Sequence, residues 1–155
     1  MAASQSPSSK TVQKFRTRVY DYFDRHKRRL PWRLTSCRPY HIYVSEIMLQ
    51  QTQVERVIPK YRTFTQTFPS FKRIAQAPLP AVIREWQGLG YNRRALFLHQ
   101  SAQQIRSRFN GRLPKDPELL LRLPGIGPAT AASICAFAFN RPTLFIETNI
   151  RSVFI

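Results

Sequence analysis

The chain has 155 residues, with 25 lysines and arginines against 8 aspartates and glutamates, a formal charge of +17 at pH 7, and a hydrophobic share of 43%. That apolar share excludes a disordered basic tail and is enough for one modest core, while the charge excess calls for a polyanionic partner, nucleic acid ahead of a membrane surface. No apolar run reaches the length of a membrane span, the first residues lack the apolar core of a secretory signal, and two cysteines, Cys37 and Cys135, are too few and too far apart for a metal site or a disulfide framework, which fits a reducing intracellular compartment.

Residues 1–10, "MAASQSPSSK", are small and polar and read as a flexible tail. A helix is predicted over 11–29, with Phe15, Val19, Tyr22 and Phe23 on one stripe and the basic run "RHKRR" at its C-terminal end, where positive charge suits the helix dipole. "LPWR" and "CRPY" make a proline-broken connection. Further helices are predicted over 40–52, 54–67, 70–76, 79–87, 92–109, 116–122, 128–139 and from 148 to the end, separated by "FPSF", "APLP", "GLGYN", "NGRLP" and "LPGIGP". "PTLFI" is compatible with a short strand, but no segment alternates with period two over any length. The chain is predicted to be all-α.

Two stretches carry chemistry. In "LLLRLPGIGPATAASICAFAF", residues 119–139, Pro124 stops one apolar helix, Gly125 and Gly127 are expected to allow backbone geometry that a side chain resists, and Pro128 suits the first turn of the next. This is a helix-hairpin-helix pattern, whose uncluttered backbone N–H groups and helix N-terminus can approach a phosphate closely. The plain alternative is a tight turn, but the complete "LPGIGPATA" between two apolar helices favours DNA binding.

The other stretch is "VSEIMLQQTQ", residues 44–53. At helical angles the apolar residues from Tyr40 to Leu49 leave His41 and Ser45 as the polar strip, and Glu46 falls outside it, between Ile42 and Tyr43 on one side and Leu49 and Gln50 on the other. A carboxylate placed among apolar groups is expected to keep its proton to higher pH than the ordinary value of about 4.3. A buried Glu satisfied by a nearby arginine is the alternative.

The motifs "LPWR", "PYHIYVSEIMLQQTQVERVIPKY", "FPSF", "GLGYNRRALFLHQSAQQI" and "LPGIGPATAASI", in this order from Leu30 onward, resemble those of adenine DNA glycosylases of the MutY type, within the endonuclease III superfamily. The resemblance implies an all-α helix-hairpin-helix glycosylase fold: a helical barrel domain over 30–155, with the hairpin at 116–139, and residues 11–29 as the N-terminal helix of an incomplete second domain. It implies hydrolysis of the N-glycosidic bond of adenine mispaired with guanine or 8-oxoguanine in double-stranded DNA, with the base outside the duplex. Glu46 then corresponds to the acid that protonates the departing adenine.

The resemblance also places a carboxylate that stabilises charge on the sugar at Glu147, in "IETNIRSV", where the family typically has Asp. Three readings of that Glu are open: a working substitute, a displaced carboxylate with altered substrate choice, and a decayed site. The other carboxylates have ordinary surroundings, with Asp21 and Asp24 on the basic first helix, Glu55 beside Arg56, Glu85 beside Arg84, and Asp116 as a helix N-cap. The lysine with which lyase members of the superfamily form a Schiff base is replaced by Ala129, so hydrolysis without a lyase step is expected.

By the same likeness Gln50, Gln51, Tyr91, Gly125, Ile126, Gly127, Ala129 and Thr130 are DNA-contacting candidates, Tyr91 as an aromatic wedge, and Trp32 and Arg33 are candidates for the adenine pocket. Family members continue with further helices and usually a four-cysteine loop holding a [4Fe–4S] cluster. No cofactor is expected within this chain, and the cluster only with that extension. The complete form is expected to be a monomer, free of membranes, in the bacterial cytoplasm or a nucleus. A catalytically silent helix-hairpin-helix DNA-binding module is the competing functional reading.

Overall fold

The computed structural model describes residues 7–34, 37–146 and Ser152; Glu147 and Asn149, and the helix predicted from 148 onward, lie outside them. The described residues form helices and no strand, and 141–146, which include all of "PTLFI", have no regular structure. The chain divides into two units, Met1–Leu30 and Pro31–Ile155.

The first unit contains α1, Ser9–His26. It starts two residues before the predicted position because Ser8 is its N-cap, extended, with its hydroxyl accepting from the Thr11 N–H at 3.2 Å. At the other end the Lys27 N–H closes on the Phe23 carbonyl at 2.7 Å, so Arg28 and Arg29 lie beyond the helix rather than in its last turn. Phe15, Val19, Tyr22 and Phe23 are exposed, and no residue of α1 is buried.

The second unit runs through a 3-10 turn, Pro31–Arg33, then α2 (Pro39–Leu49), α3 (Val54–Thr67), α4 (Phe71–Gln76), α5 (Leu79–Trp86), α6 (Arg93–Arg108), α7 (Pro117–Leu121) and α8 (Pro128–Phe139). Prolines and glycines set most of these boundaries: Pro39, Pro80, Pro117 and Pro128 sit in first turns, where no intrahelical N–H bond is lost. Pro59 lies inside α3 without ending it, on an exposed position. Asp116 is the N-cap of α7 and accepts from the Glu118 N–H at 2.9 Å, as its place before Pro117 predicts.

α2 is the central element, packed by α3, α6 and α8. This explains why its apolar residues wrap the whole circumference: Tyr43, Val44, Ile47 and Met48 are fully buried on different sides. The expected polar strip is corrected accordingly. Ser45 is fully buried, with its hydroxyl donating to the Ile42 carbonyl at 2.8 Å, so a helix enclosed by three neighbours has no solvent face there for it to mark.

Around α2 the core is filled by Phe64 of α3, Ile74 of α4, Val82 and Trp86 of α5, Leu98 and Ile105 of α6, Leu120 of α7 and Ile134 of α8. Each such side chain contributes on the order of 2 kcal/mol by leaving water. Tyr40 and Tyr43 both meet the Phe71 ring edge-on, at 5.1 and 5.3 Å, and Phe64 meets Trp86 at 5.9 Å. α2 also packs directly against α8, which brings Glu46 and the hairpin together.

Candidate functional site

The hairpin between α7 and α8 is built as its prolines and glycines require, but its two glycines serve different ends. Gly125 has φ +78°, and a Cβ there would lie 2.8 Å from the Phe97 ring, so both conformation and space demand glycine. Gly127 does not need left-handed backbone: it is extended, φ −95°, and a Cβ would meet nothing within 4 Å. That corrects the expectation of a strained geometry at Gly127. What Gly127 provides is open space directly before the first turn of α8, where the N–H groups of Ala129 and Thr130 precede the first intrahelical bond, Ala131 N–H to the Gly127 carbonyl at 2.9 Å. Ala129 is exposed at this entrance, whereas the Ile126 side chain is buried and anchors the turn to the core.

Glu46 is half-buried on α2 and faces α8. The hydroxyl of Ser133, itself 1% exposed, donates to Glu46 Oε2 at 2.6 Å and also lies 3.0 Å from the Thr130 carbonyl. One hydroxyl hydrogen is thus offered to two acceptors, and the Glu46 carboxyl lies at the shorter distance. Sequence reasoning missed Ser133 because a small residue in an apolar helix reads as packing. One helical turn on, Gln50 donates through Nε2 to the Gly125 carbonyl at 3.2 Å and to the Thr130 hydroxyl at 3.3 Å. Gln50 therefore ties the end of α2 to the hairpin, and the same Thr130 touches both Gln50 and Ser133.

Gln51 and Tyr91 are exposed and both have left-handed backbone, φ 54° and 48°. The other non-glycine residues of this kind, Asn110 and Asn140, have the side chain that best tolerates it and sit at helix ends. Gln51 and Tyr91 lack that side chain, although Gln51, directly after the C-cap Gln50, also stands at a helix end. Between them lies Arg94, 7% exposed, which sequence analysis did not single out. Its Nη1 donates to the carbonyls of Ile47 at 3.2 Å, Met48 at 2.9 Å and Gln50, and its Nη2 to the Thr52 hydroxyl at 2.9 Å and to the Leu89 and Gly90 carbonyls at 3.1 Å each. Burial lowers its pKa from the ordinary arginine value. The last carbonyls of α2 offset that cost, since they form the negative end of the helix dipole. The guanidinium also lies 5.5 Å from the Trp86 ring centre and 5.4 Å from that of Tyr91.

The pocket candidates part ways. Trp32 is 3% exposed, its ring set edge-on against Tyr61 at 5.1 Å, whereas Arg33 is exposed with its guanidinium 5.7 Å from the Phe137 ring of α8. Glu147 lies outside the described residues. The cysteines are separate: Cys37 donates to the Pro31 carbonyl at 3.2 Å and Cys135 is buried in α8, its thiol pKa raised by that burial. Among the described residues no group of three or more His, Cys, Asp or Glu could hold a metal ion, so these side chains do not fit an iron–sulfur cluster. No described helix is long and apolar enough to cross a membrane.

Residues 44–155 match the family model described as HhH-GPD superfamily base excision DNA repair protein. The chain is similar to the adenine DNA glycosylase of Buchnera aphidicola, 40% identical over 136 residues that cover 88% of this chain and 38% of that protein. It is also similar to the adenine DNA glycosylase of Mycolicibacterium smegmatis, 40% identical over 135 residues, covering 87% of this chain and 46% of that protein. The chain thus spans less than half the length of both curated relatives. A solved thermostable thymine-DNA glycosylase superposes with a TM-score of 0.81 at 28% identity, over 88% of this chain and 63% of that one. With the hairpin entrance, the all-helical fold and these matches agreeing, the chain belongs to the HhH-GPD superfamily of base excision DNA repair proteins.

Proposed function

We propose that this chain is the part of an adenine DNA glycosylase that grips duplex DNA through the hairpin and supplies the acid for hydrolysis of the N-glycosidic bond of adenine opposite guanine or 8-oxoguanine. The observation that carries the reading is the half-buried Glu46, held by Ser133 beside the open entrance of α8. Adenine is a poor leaving group as an anion. A carboxyl that gives its proton to a ring nitrogen of the extruded base lets the base leave neutral, while water supplies the new bond at the sugar carbon. Glu147 is proposed to stabilise the positive charge that builds on the sugar. The net charge of +17 supplies attraction for the phosphates, and α1 is proposed to belong to a second domain.

Names of relatives support adenine as the base, and Ala129 in the place of a Schiff-base lysine supports hydrolysis alone. Glu147, in a place where the family carries Asp, favours the second reading of a DNA-binding module without activity. Release of free adenine from duplexes containing A:8-oxoguanine and A:G, under single-turnover conditions, decides between them. Excision that Glu46→Gln nearly abolishes supports the enzyme, and duplex binding with no adenine release supports the module.

A further inference from the structure

We propose that Arg94 is a positioning residue whose single guanidinium joins two separate turns into one rigid unit that meets the duplex, and that this unit includes the end of α2 that carries Glu46. The DNA-facing part of this inference rests on the proposed function; the mechanical part does not.

The division of labour between its nitrogens carries the argument. Nη1 takes the α2 end, at Ile47, Met48 and Gln50, and Nη2 takes the other turn, at Leu89 and Gly90, with the Thr52 hydroxyl between them. Thr52 strengthens the bridge through its own weak contacts to the Gln50 carbonyl at 3.3 Å and the Leu89 carbonyl at 3.5 Å. Each turn ends in an exposed residue forced into left-handed backbone, Gln51 on one and Tyr91 on the other. Such conformations persist only where surroundings over-determine them, and the shared element here is the Arg94 fork. Two further bonds brace the second turn without reaching the carbonyls at the end of α2: Arg56 to the Gly88 carbonyl at 2.6 Å and Trp86 Nε1 to the Gly90 carbonyl at 3.3 Å.

A planar fork is required because the acceptors diverge. A lysine at 94 would keep a cation against the negative end of α2, but one ammonium nitrogen cannot serve both sets of carbonyls. Charge and bridging are therefore separable by mutation, which distinguishes a positioning role from simple support of the fold.

The test is amide hydrogen exchange of the whole chain, read at 50–53 and 88–92, with α8 as the internal reference, in Arg94→Met, Arg94→Lys and Thr52→Val. Exchange at both turns should accelerate together by about tenfold or more in Arg94→Met while α8 stays protected. Arg94→Lys should recover most of the melting temperature yet leave both turns fast, and Thr52→Val should give a smaller acceleration of both. Duplex affinity, measured on the same proteins, should fall by about tenfold with Arg94→Lys. Parent-like exchange in Arg94→Lys, or acceleration of one turn alone, overturns the clamp. If Arg94→Met and Arg94→Lys lose their cooperative melts, Thr52→Val decides, and parent-like exchange in that variant overturns it. A parent chain that does not bind duplex at all defeats the proposed function, while the exchange result still decides the clamp.

Discussion

Ser133 and Glu46, 87 positions apart in sequence, meet at 2.6 Å across the α2–α8 contact. Because Ser133 is buried, its hydroxyl cannot turn to water and has only the carboxylate and the Thr130 carbonyl to serve. The same hydroxyl can serve either protonation state: it donates to an ionised Glu46, or accepts from a protonated one while pointing its own hydrogen at Thr130. Ser133→Ala removes this without altering the helix, since alanine is the best helix former. On the proposed function, single-turnover adenine excision should drop by about tenfold, the equivalent of one ordinary hydrogen bond lost at the proposed acid. Duplex affinity should stay within about twofold, because the hairpin entrance is untouched. Unchanged excision would mean that Ser133 only fills space.

The charge of the chain leads to a separate expectation for binding. Affinity for undamaged duplex should fall linearly with salt on a double-logarithmic plot, with a slope of about −0.9 for each phosphate neutralised and several units in total. Titrations between low and moderate salt measure it. A slope near zero would remove nucleic acid as the partner that the charge excess serves.

Why some of this was legible in the sequence and some was not has a physical basis. Most helix boundaries of the second unit were legible because proline and glycine act locally: Pro117 and Pro128 mark first turns wherever the rest of the chain goes, whereas α2 begins at Pro39, expected in the connection, and ends at Leu49, three residues before its predicted end. The hairpin was legible for the same reason, and so was Asp116 as a cap. Local cues failed where the answer depends on what lies opposite. Ser45 was placed on a polar strip because helical periodicity cannot show that α2 is packed by α3, α6 and α8. Gly127 was credited with unusual dihedrals, whereas its role is empty space in front of it. Arg94 was invisible, since an arginine whose two terminal nitrogens bond to backbone carbonyls needs no acidic partner that a sequence pattern could reveal. The start of α1 was missed by two residues because Ser8 stands in a run of small polar residues in which any could be the cap.

His41 gives the fold a dependence on pH. Its Nδ1 accepts from the Arg38 N–H at 3.0 Å at the start of α2, which requires that nitrogen to be unprotonated. Burial, and then the charge of Arg38, hold the imidazole below its ordinary pKa of 6.5. The unfolded chain therefore binds the proton more readily than the folded one. The stabilisation from neutral His41 is present above pH 6.5 and is lost as pH falls through the lowered folded value. His41→Gln keeps an acceptor that cannot be protonated, so its melting temperature should fall less than the parent's between about pH 7.5 and 5, by about a degree or two from the size of a single cap. His26 and His99 are common to both proteins and cancel in the difference. Equal losses on acidification would show that the imidazole does not titrate against folding.

The two hairpin glycines should respond to substitution in opposite ways. Gly125→Ala meets both a left-handed φ of +78° and the Phe97 ring at 2.8 Å, so it should destabilise the protein by about 2–4 kcal/mol, the sum of a backbone and an overpacking penalty. Gly127 is the N-cap of α8, extended, and a Cβ on it would have nothing within 4 Å, so no clash opposes a side chain there. Aspartate is among the best N-cap residues and also complements the positive end of the helix, so Gly127→Asp should leave stability unchanged or raise it by up to about 1 kcal/mol. The same carboxylate stands where a phosphate must come to the first N–H groups of α8, and duplex affinity should fall by about tenfold or more, equally for every DNA sequence, through loss of a phosphate site. A protein that melts higher and binds less tightly is a combination that damage to the fold cannot produce. Thermal melts and salt-controlled binding titrations on both variants provide the measurement, and a Gly127→Asp protein that binds duplex as tightly as the parent would remove the α8 entrance from the DNA interface.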